Sequence, residues 1–384
     1  GESANLMPFA PAVALALGLV GGSAFQRHAT CPASLRMASA AEVSMTSSLV
    51  EKLEASEKVP AAFISVVKGL QAQYAACAEG AGMDPAAADK LLATYLKFVV
   101  DQIEKPYKFE PLHKARREPF DMYTFGVQFF SPVVDREASV IEGQEILDKI
   151  VKQLKAGDNV VIFSNHQIEP DPTVLSILLD EKYPELCPNV ISVAGDRVTT
   201  DPMAAPMSLG RNLLNIYSKR HIANPPELKD QKSAHNQRAM RRLGELFLQG
   251  GNCVWIAPSG GRDRPSAERG GKVFPAAFES KNIDMFRLLG MQAEKSTGRV
   301  THLYPMAMYT YPLAPPPDKI GGQVGEERLL RRRPAGIALS DEVDHRLIEG
   351  ATKNERREKL AQMLYDRVVE MHDKLMARIE GEDA

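Results

Sequence analysis

His166 and Asp171 lie five positions apart, between an apolar run at 160–163 and a proline, Pro172, of the kind that opens a helix. A strand end, a tight loop and a helix start can bring an imidazole and a carboxylate together. Asp171 would then hold one ring nitrogen by a hydrogen bond and leave the other to act as a base. No Ser or Cys stands where a covalent nucleophile would be expected. The pair therefore suits direct attack by a substrate hydroxyl on a thioester carbonyl, with the histidine removing the hydroxyl proton. Two other readings stay open on spacing alone. Asp171 can cap the following helix while His166 makes a loop hydrogen bond. Or His166 can bind a metal with Glu169 or Asp171, although no third ligand is evident. No metal and no cofactor is expected.

A second cluster follows the apolar run at 253–257. Pro258, Ser259, Gly260, Gly261, Arg262, Asp263, Arg264 and Pro265 make a glycine-bearing loop with two arginines. Glycines let a backbone approach a ligand closely, and guanidinium forks match phosphate oxygens in pairs. That combination points to a phosphate site; the competing reading is a solvated surface loop with one arginine paired to Asp263. A third cluster is Tyr217, Ser218, Lys219, Arg220 and His221, followed by Lys229, Lys232, His235, Arg238, Arg241 and Arg242. Such a basic stretch suits an anionic substrate and an acidic carrier, or else an ordinary solvated helix face.

The elements that must position these clusters can be read from apolar periodicity. From Glu42 to about residue 110 the chain reads as a small helical bundle: one helix around Leu49 and Leu53, one over 59–78, and one over 84–103 with Asp84 as N-cap and Pro85 in its first turn. Residues 111–384 change style. Strands are expected at 160–163, 190–194, 253–257 and 303–308, with helices at 172–181, 233–249 and 275–290 between them. That alternation implies an α/β domain, with a mixed, largely parallel sheet flanked by helices. Sites in such sheets sit at strand ends. Residues 314–340 read as a long Pro-, Gly- and Arg-rich loop, and 355–379 as a closing amphipathic helix.

Bulk properties exclude several classes. The chain has 384 residues, 44% of them apolar and 25% charged, which is ordinary globular composition. A net charge of −2 gives no general field for nucleic acid. The four cysteines, Cys31, Cys77, Cys187 and Cys253, form no paired motif, so neither a zinc site nor a disulfide framework is expected. Residues 1–41 read as a targeting leader in two parts. An apolar run over 6–20 precedes Gly21, Gly22, Ser23 and Ala24; then a segment free of acids carries Arg27 and Arg36. The run is short and broken by Pro8 and Pro11, so no stable membrane span is expected. A signal followed by a transit-like segment resembles the bipartite address of a complex algal plastid; a plain secretory signal is the alternative.

The blocks together resemble a known family. Ser164, Asn165, His166, Gln167, Ile168, Glu169, Pro170, Asp171 and Pro172 are similar to the first block of the glycerolipid acyltransferases, a His and an Asp separated by four residues. Val193 to Val198, then Gly210, Arg211, Asn212 and Leu213, then Tyr217 to His221, the loop from Ala257 to Pro265, and Tyr304, Pro305, Met306 and Ala307 resemble the soluble plastid glycerol-3-phosphate acyltransferases, in family order. The resemblance covers roughly residues 45 to 375. It implies an N-terminal helical lobe on an α/β acyltransferase domain. It also implies transfer of a fatty acyl chain from acyl carrier protein, or from coenzyme A, to the first hydroxyl of glycerol 3-phosphate. On that resemblance His166 and Asp171 do the acid–base work, and Arg220, His221, Arg262 and Arg264 hold the phosphate. Arg220 stands where the plant pattern has lysine, which keeps charge but changes its geometry. Ile168 and Pro170 also depart from the usual block.

Overall fold

The computed structural model describes residues 44–55, 61–218, 222–316 and 329–381; the leader expected over 1–41 lies outside them. Among the described residues three helices come first: α1 (Met45–Glu54), α2 (Ala61–Gly80) and α3 (Pro85–Glu104). The Ser44 and Asp84 side chains cap α1 and α3 by accepting first-turn backbone N–H groups, and Pro85 opens α3. Next come β1 (Leu112–His113), α4 (Met122–Phe130), β2 (Val140–Glu142), α5 (Gln144–Lys155) and β3 (Asn159–Ser164). They are followed by α6 (Asp171–Leu179), β4 (Ile191–Gly195), the short α7 (Arg197–Thr200) and α8 (Ala205–Ser208), β5 (Asn212–Ile216) and α9 (Lys229–Gln249). The chain closes with β6 (Cys253–Ile256), β7 (Arg264–Pro265), β8 (Val273–Phe274), α10 (Ser280–Thr297), β9 (Thr301–Tyr309), β10 (Gly336–Leu339) and α11 (Lys353–Glu380).

Among the described residues eight strands share one sheet, in the order β1-β5-β4-β6-β3-β9-β10-β2. Strands β3, β4, β5, β6 and β9 run parallel; β1 pairs antiparallel with β5, and β10 antiparallel with β9. This is the mixed, largely parallel sheet that the alternation of runs implied. All six residues of β3 are buried, because helices cover both faces of the sheet. Val160 and Ile162 point into a core shared with α1 to α6. Val161 and Phe163 point the other way, against Ala239, Leu243 and Phe247 of α9, Ile283 and Phe286 of α10 and Leu364 of α11. Burying each such side chain contributes about 1.5–3 kcal/mol, and the alternation along β3 fixes its register.

Two sequence expectations need correction. The long loop expected over 314–340 contains β10, a four-residue buried strand that pairs with β9 and carries β2 at the sheet edge. The helix expected over 275–290 starts only at Ser280 and continues to Thr297. Residues before it are extended because their backbone is used elsewhere: the Ala276 N–H donates to Asp263 Oδ1, and the Glu279 N–H to the Pro258 carbonyl. The helix then runs through Gly290, where an added Cβ would sit 2.7 Å from the Thr301 side chain, so helix and strand touch there. Beyond the elements that the apolar runs mark out, the chain also forms α4, α5 and β5.

Candidate active site

Strand β3 ends at Ser164, which pairs with Met306 of β9, and β9 continues to Tyr309. On its other side Phe163 pairs with Ile256, the last residue of β6. The loop 165–170 therefore leaves the sheet between the end of β6 and the overshooting end of β9. Asn165, fully buried, closes the gap as a substitute strand residue. Its Oδ1 accepts from the Met308 N–H at 2.8 Å, and its Nδ2 donates to the Met308 carbonyl at 2.9 Å and to Asp263 Oδ2 at 2.8 Å.

His166 and Asp171 come together. His166 Nδ1 lies 2.8 Å from Asp171 Oδ2. The same oxygen accepts from the backbone N–H groups of Gln167 at 2.7 Å and Ile168 at 3.2 Å. Asp171 Oδ1 accepts from the Thr310 hydroxyl at 2.5 Å. Asp171 is wholly buried, and these four donors hold it as an acceptor. Asp171 is also the first residue of α6, but it does not cap that helix: its carboxylate turns back onto the loop that precedes it. Facing an oxygen already committed to accepting, His166 Nδ1 must carry the proton. Nε2 is left with its lone pair and makes no hydrogen bond to a described residue. The imidazole is 21% exposed and stands edge-on to Trp255 of β6, 5.6 Å between ring centres. This is the geometry of a general base with an oriented second nitrogen.

The loop after β6 closes against the same turn. Gly260 has φ of +71°, a conformation that favours glycine, and Asn282 of α10 donates to the Pro258 carbonyl. The Asp263 N–H donates to the His166 carbonyl at 2.6 Å. The Asp263 side chain points inward onto Asn165 Nδ2 and the Ala276 N–H. It is therefore a brace between loops, not the surface partner of an arginine. Burial pushes its carboxyl up to about 6. Arg262 is only 10% exposed, and its Nη1 lies 3.4 Å from Glu169 Oε1, so this arginine is held beside the His166 loop. Arg264 is half-buried at the start of β7. Arg220 and His221 lie outside the described residues. The flanks of their segment are clamped by α9. Asn236 bonds both the N–H and the carbonyl of Tyr217. Lys232 donates to the Asn224 carbonyl and lies over the Tyr217 ring. Lys232 thus turns inward, while Arg238, Arg241 and Arg242 of the same basic stretch stay exposed, with Arg242 paired to Glu245.

Thr310, Asp263, Asn165 and Gln167 meet around this turn without being marked as site residues by their spacing in the sequence. Asn165 and Gln167 flank His166 and alternate with it, and a polar residue on each side of a histidine after an apolar run is the one local signal available. Thr310 lies 139 residues from Asp171 and carries no such signal. Among the described residues no group of three His, Cys, Asp or Glu could hold a metal ion, and no helix is long and apolar enough to cross a membrane.

Residues 141–309 match the Acyltransferase family model. Over 292 residues the chain is 39% identical to the glycerol-3-phosphate acyltransferase, chloroplastic, of Spinacia oleracea, covering 76% of this chain and 61% of that protein. Over 346 residues it is 36% identical to the protein of the same name in Pisum sativum, covering 88% and 74%. Over 299 residues it is 37% identical to that of Arabidopsis thaliana, covering 76% and 64%. The matches thus span 61% to 74% of the length of these relatives.

Proposed function

The chain belongs to the glycerol-3-phosphate acyltransferase family, and from that premise we propose that it transfers a fatty acyl chain from a thioester donor to the first hydroxyl of glycerol 3-phosphate. His166 Nε2 takes the hydroxyl proton as the oxygen attacks the thioester carbonyl. The tetrahedral intermediate collapses with cleavage of the carbon–sulfur bond. The departing thiolate takes the proton from the imidazolium, and the product is 1-acylglycerol 3-phosphate. Asp171 keeps Nδ1 protonated and offsets the positive charge that the ring gains. The observation that carries this reading is the 2.8 Å contact of His166 Nδ1 with Asp171 Oδ2, in a loop that leaves the second nitrogen to the substrate.

Arg220, His221, Arg262 and Arg264 are the proposed phosphate ligands. The hold of Glu169 on Arg262 supports this for Arg262, since it keeps a guanidinium near the base until a stronger anion arrives. The donor is acyl carrier protein or coenzyme A, no cofactor takes part, and the site of action is the plastid stroma. The chloroplastic relatives support that location, and the bipartite leader is the proposed address. Imaging a fluorescent protein fused to residues 1–41 tests it; secretion into the medium would count against a plastid.

The competing acceptor within the chemistry is a phosphate that already bears one acyl chain. Offering the purified protein equal concentrations of glycerol 3-phosphate and lysophosphatidate, with each type of thioester, decides between them. We expect 1-acylglycerol 3-phosphate as the main product. Faster formation of phosphatidate would overturn the assignment.

A further inference from the structure

Gln167 follows the proposed base directly, is fully buried, and makes contacts that the acid–base pair does not require. Its Oε1 accepts from two successive backbone N–H groups at the end of β9, Thr310 at 2.7 Å and Tyr311 at 2.9 Å. Its Nε2 lies 3.0 Å from Nε2 of His372, a wholly buried histidine on α11. These contacts fix the hydrogens. Two backbone N–H groups can only donate, so the Gln167 atom facing them must be the oxygen. The side-chain nitrogen then faces His372 and must donate. His372 Nε2 must therefore be an unprotonated acceptor, and the neutral ring carries its proton on Nδ1. The opposite assignment would set an amide NH2 against two N–H donors in a buried site. Nδ1 of His372 makes no hydrogen bond among the described residues; its nearest acid is Asp373, at 3.8 Å. The ring is fixed edgewise by Tyr309, 5.7 Å away, and Phe274, 6.4 Å away.

This arrangement has a geometric result. Thr310 is the residue whose hydroxyl reaches Asp171 Oδ1, and its own N–H is one of the two that Gln167 holds. Gln167 thus ties the 165–170 loop to the residue that positions the carboxylate. We propose that Gln167 and His372 are a positioning pair for the base. Neutral His372, protonated on Nδ1, holds the Gln167 amide in the one orientation that locks Thr310, Asp171 and His166 in register. This deepens the acyl-transfer reading and rests on it for its kinetic consequence, but not for the tautomer. Neither residue touches the reacting atoms.

The test has two arms on the full chain. In the first, nitrogen-15 histidine labelling and long-range proton–nitrogen NMR read the His372 ring, its signals assigned by their loss in His372→Gln. The expected result is a neutral ring with Nδ1 protonated near pH 7; a ring protonated on Nε2, or on both nitrogens, overturns the pair. In the second, kcat and KM for glycerol 3-phosphate are compared for the wild type, His372→Leu and His372→Gln. Leu fills the buried site with an apolar side chain but removes the acceptor; Gln restores an acceptor. We expect kcat of His372→Leu to fall about tenfold, by roughly one factor of ten per 1.4 kcal/mol of lost orientation, with KM within about twofold. His372→Gln should recover most of the rate. A folded His372→Leu at the wild-type rate, or a His372→Gln as slow as His372→Leu, overturns the proposal. If the wild type transfers no acyl group, the function reading fails alone, and the NMR arm still decides the pair.

Discussion

Replacing Asp171 with asparagine removes a charge and keeps the side chain's size. In many His–Asp pairs this change also inverts the histidine tautomer, because the new amide nitrogen can turn toward the ring. Here the neighbours forbid that turn. The backbone N–H groups of Gln167 and Ile168 both donate to the same oxygen that His166 Nδ1 contacts. The asparagine must keep its oxygen there, and its nitrogen then faces the Thr310 hydroxyl, which can rotate and accept. The Nδ1–H tautomer survives, and only the charge partner of the imidazolium is lost. A hydrogen bond to a charged group contributes about 1.5–3 kcal/mol and a neutral one about 0.5–1.5. The difference, ~1–2 kcal/mol, is roughly 5- to 30-fold in rate. Steady-state kcat for acyl transfer to glycerol 3-phosphate is the assay. A fall near the ~10⁴-fold seen when such a substitution leaves the wrong tautomer would refute the argument from the two backbone donors. A rate equal to wild type would refute the role of Asp171.

Other outcomes follow from the same contacts. Thr310→Val leaves Asp171 Oδ1 buried without its donor and should cost about 1–3 kcal/mol of stability, read as a lower urea midpoint, with kcat reduced as well; an unchanged midpoint would contradict the contact. Arg262→Ala should raise KM for glycerol 3-phosphate at least tenfold with a smaller effect on kcat; the reverse split would remove it from the phosphate site. Far from His166, at the opposite end of β3 and β9, His302 contacts Glu342 and Asp158. Burial there disfavours the charged imidazole, but the two carboxylates outweigh it and raise the His302 pKa above its ordinary 6.5. Burial likewise opposes the charge on Glu342, and its bonds to His302 and Lys149 outweigh that, holding it below 4.5. The His302 contribution is full below about pH 6.5 and is lost as pH rises through the raised value. The Glu342 contribution is full above about pH 4.5 and is lost as pH falls. Urea midpoints across pH should therefore fall on the alkaline side, and His302→Gln should flatten that limb; an unchanged limb would contradict the cluster.

Legibility followed the range of the interaction. Strands β3, β6 and β9 are covered on both faces and so appear as largely apolar runs. Strand β10 is just as buried, but it has four residues and emerges from an arginine- and proline-rich stretch, so local composition hid it. Helix α11 is legible nearly to its ends, because one stripe from Leu360 to Leu375 faces the core. The His166–Asp171 pair was legible because five positions of chain span it. The oxygen's other duties were not: the competing reading of Asp171 as a cap falls only once its bonds to Gln167, Ile168 and Thr310 are seen. The same holds for Asp263, whose sequence neighbours suggest an ion pair while its fold neighbours, Asn165 and Ala276, make it a buried brace.

The most direct measurement is acyl transfer from an acyl carrier protein thioester to glycerol 3-phosphate by the full chain and by His166→Ala, with the product identified by the position of its acyl group. General base catalysis contributes roughly 10²–10⁴-fold, so the wild type should give 1-acylglycerol 3-phosphate and the folded variant should be slower by that factor. A His166→Ala protein that turns over at near the wild-type rate would contradict the account.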